Sequence, residues 1–222
     1  MNAFVAIISR DVALGFRAGG GAMQAAMFFA LIVLVFALAI GPEPARLATL
    51  AAPILWAGAL LSALVSLDRI FQADFEDGSL DVLVETAELP ELRVLAKAAA
   101  HWLSSLLPLI VAAPLFALLL NLPAAGYGPL LLSLLIGTPA LSLIGALAAA
   151  LTLALRRASI LVSILAAPLY APVLIFGVGA AEAGAAASPS FGPTLLLLAA
   201  SSLFTLVFAP LAGAAAIRFN MS

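Results

Sequence analysis

Cysteine is absent from the 222 residues, histidine occurs once, and charged side chains make up only 9%. The missing cysteines exclude disulfides, thiolate metal sites, CxxC redox pairs and covalent haem attachment. His101, in "AAAHWLSS", has no carboxylate or second histidine in its neighbourhood, so no metal site is built around it. Nine Lys and Arg dispersed along the chain give no basic patch, which excludes nucleic acid as a partner. A soluble domain carries about 25% charged residues. Here 65% of residues are hydrophobic and the mean hydropathy is +1.26, so nothing polar remains to cover an aqueous surface. The class is an all-α polytopic membrane protein, a single transmembrane domain over 1–222.

A membrane helix needs about 20 apolar residues, and the gaps between consecutive charges measure them. Arg17 to Glu43 leaves 25 uncharged residues, Arg46 to Asp68 leaves 21, Lys97 to Arg156 leaves 58, Arg157 to Glu182 leaves 24, and Glu182 to Arg218 leaves 35. The turn-like "NLPAAGYGP" (121–129) divides the longest gap, and "AGAAASPSFGP" (183–193) reads as a loop. Six spans follow, near 22–40, 46–67, 98–120, 130–155, 159–180 and 194–217. The first is too long for the core of a cleaved leader and is read as retained. With the N-terminus inside, Arg10, Arg17, Arg69, Arg93, Lys97, Arg156, Arg157 and Arg218 face the cytoplasm and only Arg46 faces out. That asymmetry predicts both termini on the cytoplasmic side.

Residues 2–17 place Phe4, Val5, Ile8, Val12 and Phe16 on one helical face with Arg10 and Arg17 opposite, and Asp11 interrupts the apolar side. The pattern predicts an amphipathic helix along the inner membrane surface. It is separated from the first span by "AGGGA" (18–22).

The usual engines of transport are missing. Ion-driven carriers hold ionisable groups within their spans, and apart from Arg46 at the outer end of the second, the six spans as delimited contain only His101. His101 and Trp102 read as an interfacial pair at the inner end of span three, the minority reading being a transient contact with haem or a proton. No G-x-x-x-x-G-K-[ST] loop exists around the single lysine, Lys97. Serines in the spans lack a base in sequence reach. The chain is therefore not read as an enzyme, and any ATP hydrolysis belongs to a partner.

Charge is instead concentrated. Of the 20 acidic and basic residues, 11 fall within 68–97, "DRIFQADFEDGSLDVLVETAELPELRVLAK". Within it Ser79 is a candidate N-cap, Asp81 and Glu85 occupy early turns, and Pro90 ends the helix. Leu80, Leu83, Val84 and Ala87 follow i, i+3, i+4, i+7. Such a small cytoplasmic helix suits a groove on another protein. A solvated loop whose stripe packs on its own bundle fits the pattern equally well. Beyond Pro90, "ELRVLAKAAAHW" reads as a helix running into span three. Seven prolines, Pro53, Pro108, Pro114, Pro139, Pro168, Pro172 and Pro210, lie within spans and favour bends.

Five segments resemble the CcmB family, the membrane subunit of the ABC-type haem exporter of bacterial cytochrome c maturation. They are "IGPEP" (40–44), "FEDGSLDVL" (75–83), "LAKAAAHW" (95–102), "LLIGTPALSLIGALAAALTLALRR" (134–157) and "SILAAPLYAPVLIFG" (163–177). The resemblance implies an ABC-2 type exporter-like fold in the bacterial inner membrane and a separate cytoplasmic ATPase of CcmA type. It also implies a haem-handling membrane subunit of CcmC type, a small subunit of CcmD type and a homodimer of this chain. By the same resemblance the segment 68–97 is the coupling segment, with Asp74, Glu76, Asp77, Gly78, Ser79, Leu80, Leu83 and Val84 contacting the ATPase. His101 and Trp102 are retained as contacts for substrate or an interface. No cofactor is held stably by this chain; haem is cargo and ATP sits on the partner.

Two functions then compete. ATP-driven closure of the motor moves haem outward, or the same motion acts sideways on the haem-loading partner and releases its loaded chaperone. A dianionic porphyrin calls for cations along its path, and their absence from the interior of the spans as delimited leans toward the second.

Overall fold

The computed structural model describes residues 3–17, 21–67, 70, 90–153 and 158–220. Among the described residues there is no strand. The helices are α1 (Ala3–Gly15), α2 (Gly21–Ile40), α3 (Pro44–Ser66), α4 (Pro90–His101), a π-helical turn at Trp102–Leu106, α5 (Leu107–Leu119), α6 (Ala124–Thr152), α7 (Ala158–Ala185) and α8 (Phe191–Asn220). Six segments are long and apolar enough to cross a bilayer: Gly21–Ile40, Pro44–Ser66, Pro90–Leu119, Ala124–Thr152, Ile160–Ala185 and Phe191–Phe219. The polytopic all-α reading holds, and α1 precedes the first span as expected.

The spans are longer than the charge gaps predict. Span three starts at Pro90 rather than 98, so Arg93 and Lys97 belong to it. Helix α6 begins at Ala124 and takes in Pro129, where a loop was expected. Helix α8 begins at Phe191, which puts Pro193 in its first turn, where an N–H has no intrahelical acceptor to lose.

Three short connectors share one end of the bundle, and each turns on a residue with positive φ: Gly41 (86°), Asn121 (56°) and Ala187 (49°). The N–H of Ser188 donates to Ala183 O at 2.8 Å and that of Ala187 to Gly184 O at 3.1 Å, the paired bonds of a Schellman cap. A Cβ in that conformation costs about 1–2 kcal/mol. Ala187→Gly is therefore expected to stabilise the protein by about 0.5–1 kcal/mol, read as a higher thermal midpoint in detergent.

Helix α6 is the axis of the bundle. Every residue from 140 to 150, "ALSLIGALAAA", is buried. Its Ala, Gly and Ser let neighbouring backbones approach closely, the usual basis of helix association in lipid. Helices α3, α4, α5, α7 and α8 all pack on it. Near the middle, the fully buried Trp56 of α3 donates from Nε1 to Ser133 Oγ at 3.1 Å. Its ring lies against Gly137 of α6 and Gly177 of α7, where a built Cβ would come within 2.6 Å of the indole in each case. Tyr170 of α7 is likewise buried and donates its hydroxyl to Leu141 O of α6 at 2.8 Å.

Candidate functional site: a polar file along the third span

Arg93, Lys97 and His101 recur at i, i+4 and i+8, so they stand in one row along α4. All three are buried. The row lies at the end of the bundle opposite the short connectors, and helix α1 packs on α4.

Phe4, Ile8, Asp11, Val12 and Gly15 of α1 are all half-buried. Asp11 does not spoil this face. Its Oδ2 lies 2.6 Å from Lys97 Nζ, with the two side chains only 14% and 7% exposed, and its Oδ1 accepts from Arg10 Nε at 3.0 Å. Gly15 then seats directly on the π turn, where a Cβ would be 2.8 Å from Ser104 Cβ. At the same end Arg218 of α8 donates to Glu91 of α4 at 3.1 Å.

The π turn has a local cause. Proline has no N–H, and its ring collides with the carbonyl four residues back. Pro108 sits at the start of α5, and just before it the chain widens so that the Leu107 N–H bonds Trp102 O, five residues back. This turn follows His101 directly.

His101 is not interfacial, which corrects the sequence reading. Its Nε2 lies 2.8 Å from Ser66 Oγ of α3 and its Nδ1 2.9 Å from Ser142 Oγ of α6. Ser66 Oγ also faces the carbonyls of Ser62 and Ala63 at 3.1 and 3.0 Å. Its proton goes to that pair, so it accepts from Nε2–H, and Nδ1 accepts from Ser142. The ring thus ties three spans together. Neither nitrogen points to an open coordination position, and among the described residues no group of three His, Cys, Asp or Glu could hold a metal ion. Trp102, half-buried beside it, donates from Nε1 to Thr138 Oγ1 of α6 at 2.9 Å. His101→Leu leaves the Ser142 hydroxyl without its acceptor and is expected to cost about 1–2 kcal/mol. His101→Asn should recover part of that in a thermal unfolding series.

The expected ATPase contacts Asp74, Glu76, Asp77, Gly78, Ser79, Leu80, Leu83 and Val84 lie outside the described residues. Sequence reasoning missed the Asp11–Lys97 pair and the buried state of Arg93. The helix running from Pro90 into span three was expected and is present; the signal for the buried row lay in its i, i+4, i+8 spacing, but charge was taken to mark the end of the span. The helical segment that carries span three includes two buried cations.

The family model described as CcmB protein matches residues 2–220. The chain is 52% identical over 217 residues to Heme exporter protein B of Paracoccus denitrificans, covering 97% of this chain and 99% of that one. It is 47% identical to Heme exporter protein B of Bradyrhizobium diazoefficiens, covering all of both chains. With the protein of that name from Escherichia coli K12 it shares 40% identity over 98% of this chain and 99% of the relative.

Proposed function

This chain belongs to the CcmB family, and we propose that it is the membrane-spanning subunit of an ATP-driven haem-export system serving cytochrome c maturation. The observation that carries the proposal is end-to-end similarity to relatives named as haem exporters. The chain is a multi-pass membrane protein of the permease kind, and hydrolysis is assigned to a separate ATPase subunit. The bias of Lys and Arg supports an inner-membrane topology with both termini cytoplasmic. In that topology the segment between spans two and three lies on the ATPase side, and Asp74, Glu76, Asp77, Gly78, Ser79, Leu80, Leu83 and Val84 are its docking residues. The same reading supplies a haem-handling subunit of CcmC type, a small CcmD-type subunit and a second copy of this chain.

The sideways-lever reading rested on spans without cations. The helical segment that carries the third span, Pro90–Leu119, includes buried Arg93 and Lys97, which weakens that ground. A strain lacking this chain should secrete apocytochrome c yet show no haem-stained c-type cytochrome, with recovery on expressing the wild-type chain. Normal haem staining in its absence would overturn the assignment.

A further inference from the structure

We propose that an internal water molecule is held between α3 and the π turn, bonded by the Ser62 hydroxyl and by polar groups of Ser104 and Ser105, and that this site makes the junction a wet pivot. The inference concerns the chain's own joints and stands whatever the cargo.

Hydroxyls within the spans have a usual partner, a carbonyl of their own helix or of a neighbouring one. Ser66 faces the carbonyls of Ser62 and Ala63, Ser133 donates to Leu130 O, Thr152 to Ala148 O, and Ser202 to Ile136 O of α6. Ser62 departs from this pattern. Its side chain is wholly buried, yet among the described residues its Oγ meets no hydrogen-bond partner. The carbonyl one turn back, Gly58 O, is left unused by it. A hydroxyl taken out of water and left unbonded is unfavourable, so the site calls for a small polar ligand.

Register places the other groups. As consecutive spans, α3 and α4–α5 run antiparallel, and Ser66 meets His101. One turn outward on each helix therefore brings Ser62 level with Ser105. Helix α3 packs on the π turn, where Ser104 and Ser105 are both buried. The turn also offers an under-used acceptor. Pro108 has no N–H, so Ser104 O loses the donor that an α-helix would bring four residues on. Two hydroxyls and a carbonyl at one level suit a buried water, which takes about two to four polar partners.

The consequence is mechanical. His101 holds α4 directly to α3 and α6 through bonds of 2.8 and 2.9 Å. One turn further out the link runs through a water, whose bonds are remade over small shifts without leaving a hydroxyl bare. The outer part of the third span can then rock at the π turn while α4 stays tied, and π turns recur at functional sites of this kind.

The test uses the full chain in lipid nanodiscs. Ser62→Ala and Ser105→Ala should each lower the thermal midpoint by about 2–4 °C. The double variant should fall no further than the larger single one, because each change breaks the same water-mediated link. A Ser62→Ala midpoint equal to or above wild type would mean that the hydroxyl is bare, and would overturn the proposal. So would an unaffected Ser105→Ala, or shifts that add. Electron cryo-microscopy of the wild-type chain carrying a rigid antibody fragment, at a resolution that orders water, should show density bonded to Ser62 Oγ. A Ser62 hydroxyl turned onto Gly58 O, or bonded directly to Ser105, would replace the water and end the proposal.

Discussion

Gly177→Leu is expected to abolish recovery of folded protein, while Gly179→Ala, two residues along the same helix, leaves it intact. At Gly177 any Cβ would press into the Trp56 indole, and Gly137 of α6 closes on the same Cζ2–Cη2 edge of the ring, which leaves that edge no slack. Interiors are packed to crystal density, and overpacking at a rigid ring costs about 1–3 kcal/mol per added group or more. A leucine adds four carbons where even one does not fit. The indole would be driven off Ser133, breaking a buried hydrogen bond at the junction of α3, α6 and α7. At Gly179 the nearest atom to a Cβ is Thr194 Cγ2 at 3.8 Å, an ordinary contact, and alanine's higher helix propensity offsets what little is lost. Size-exclusion profiles of the two variants in detergent decide it. A monodisperse Gly177→Leu peak at wild-type yield would mean that the three-helix junction is not closed as described.

Gly78→Trp is expected to remove the ATPase from the purified complex by about tenfold or more, with the membrane chain itself still inserted. The reasoning is that of a small helix seated in a groove, where a few central residues carry most of the affinity. On the proposed reading, an indole at the position preceding Ser79 would obstruct the approach of this segment to the ATPase. Leu83→Asp, which puts a charge in the apolar stripe, should uncouple haem movement from ATP hydrolysis. Glu88→Ala, outside the stripe of Leu80, Leu83, Val84 and Ala87, should change little. Unaltered co-purification with Gly78→Trp, or equal effects of Leu83→Asp and Glu88→Ala, would detach the segment from the ATPase.

The six spans were legible because lipid imposes a length and a lack of charge on every crossing helix, and few other patterns satisfy both. Their ends were less so. Using charges as rulers cut Arg93 and Lys97 out of span three, because a sequence does not display the carboxylate that a distant helix brings to them. Asp11, read as a flaw in an amphipathic face, is that carboxylate. Pro129 was read as a turn, since nothing local tells a loop proline from one inside a helix. His101 illustrates the same limit: its two serine partners lie 35 residues before and 41 residues after it. The glycine pair around Trp56 could not be read at all, because Gly137 and Gly177 acquire their role only once α6 and α7 meet α3. By contrast, the row of Arg93, Lys97 and His101 needed nothing beyond helical spacing and was available from the start.

The central claim is that this chain moves haem across the membrane under ATP. Sealed vesicles holding the chain and its ATPase, without the haem-loading partner, test it most directly. ATP and haem are added on the ATPase side and a trapped haem-binding reporter reads the lumen. The account predicts ATP-dependent accumulation of haem that is lost with Gly78→Trp. ATP hydrolysis without lumenal haem, accompanied by release of loaded chaperone only when the partner subunit is restored, would contradict it and make the chain a lever acting on that partner.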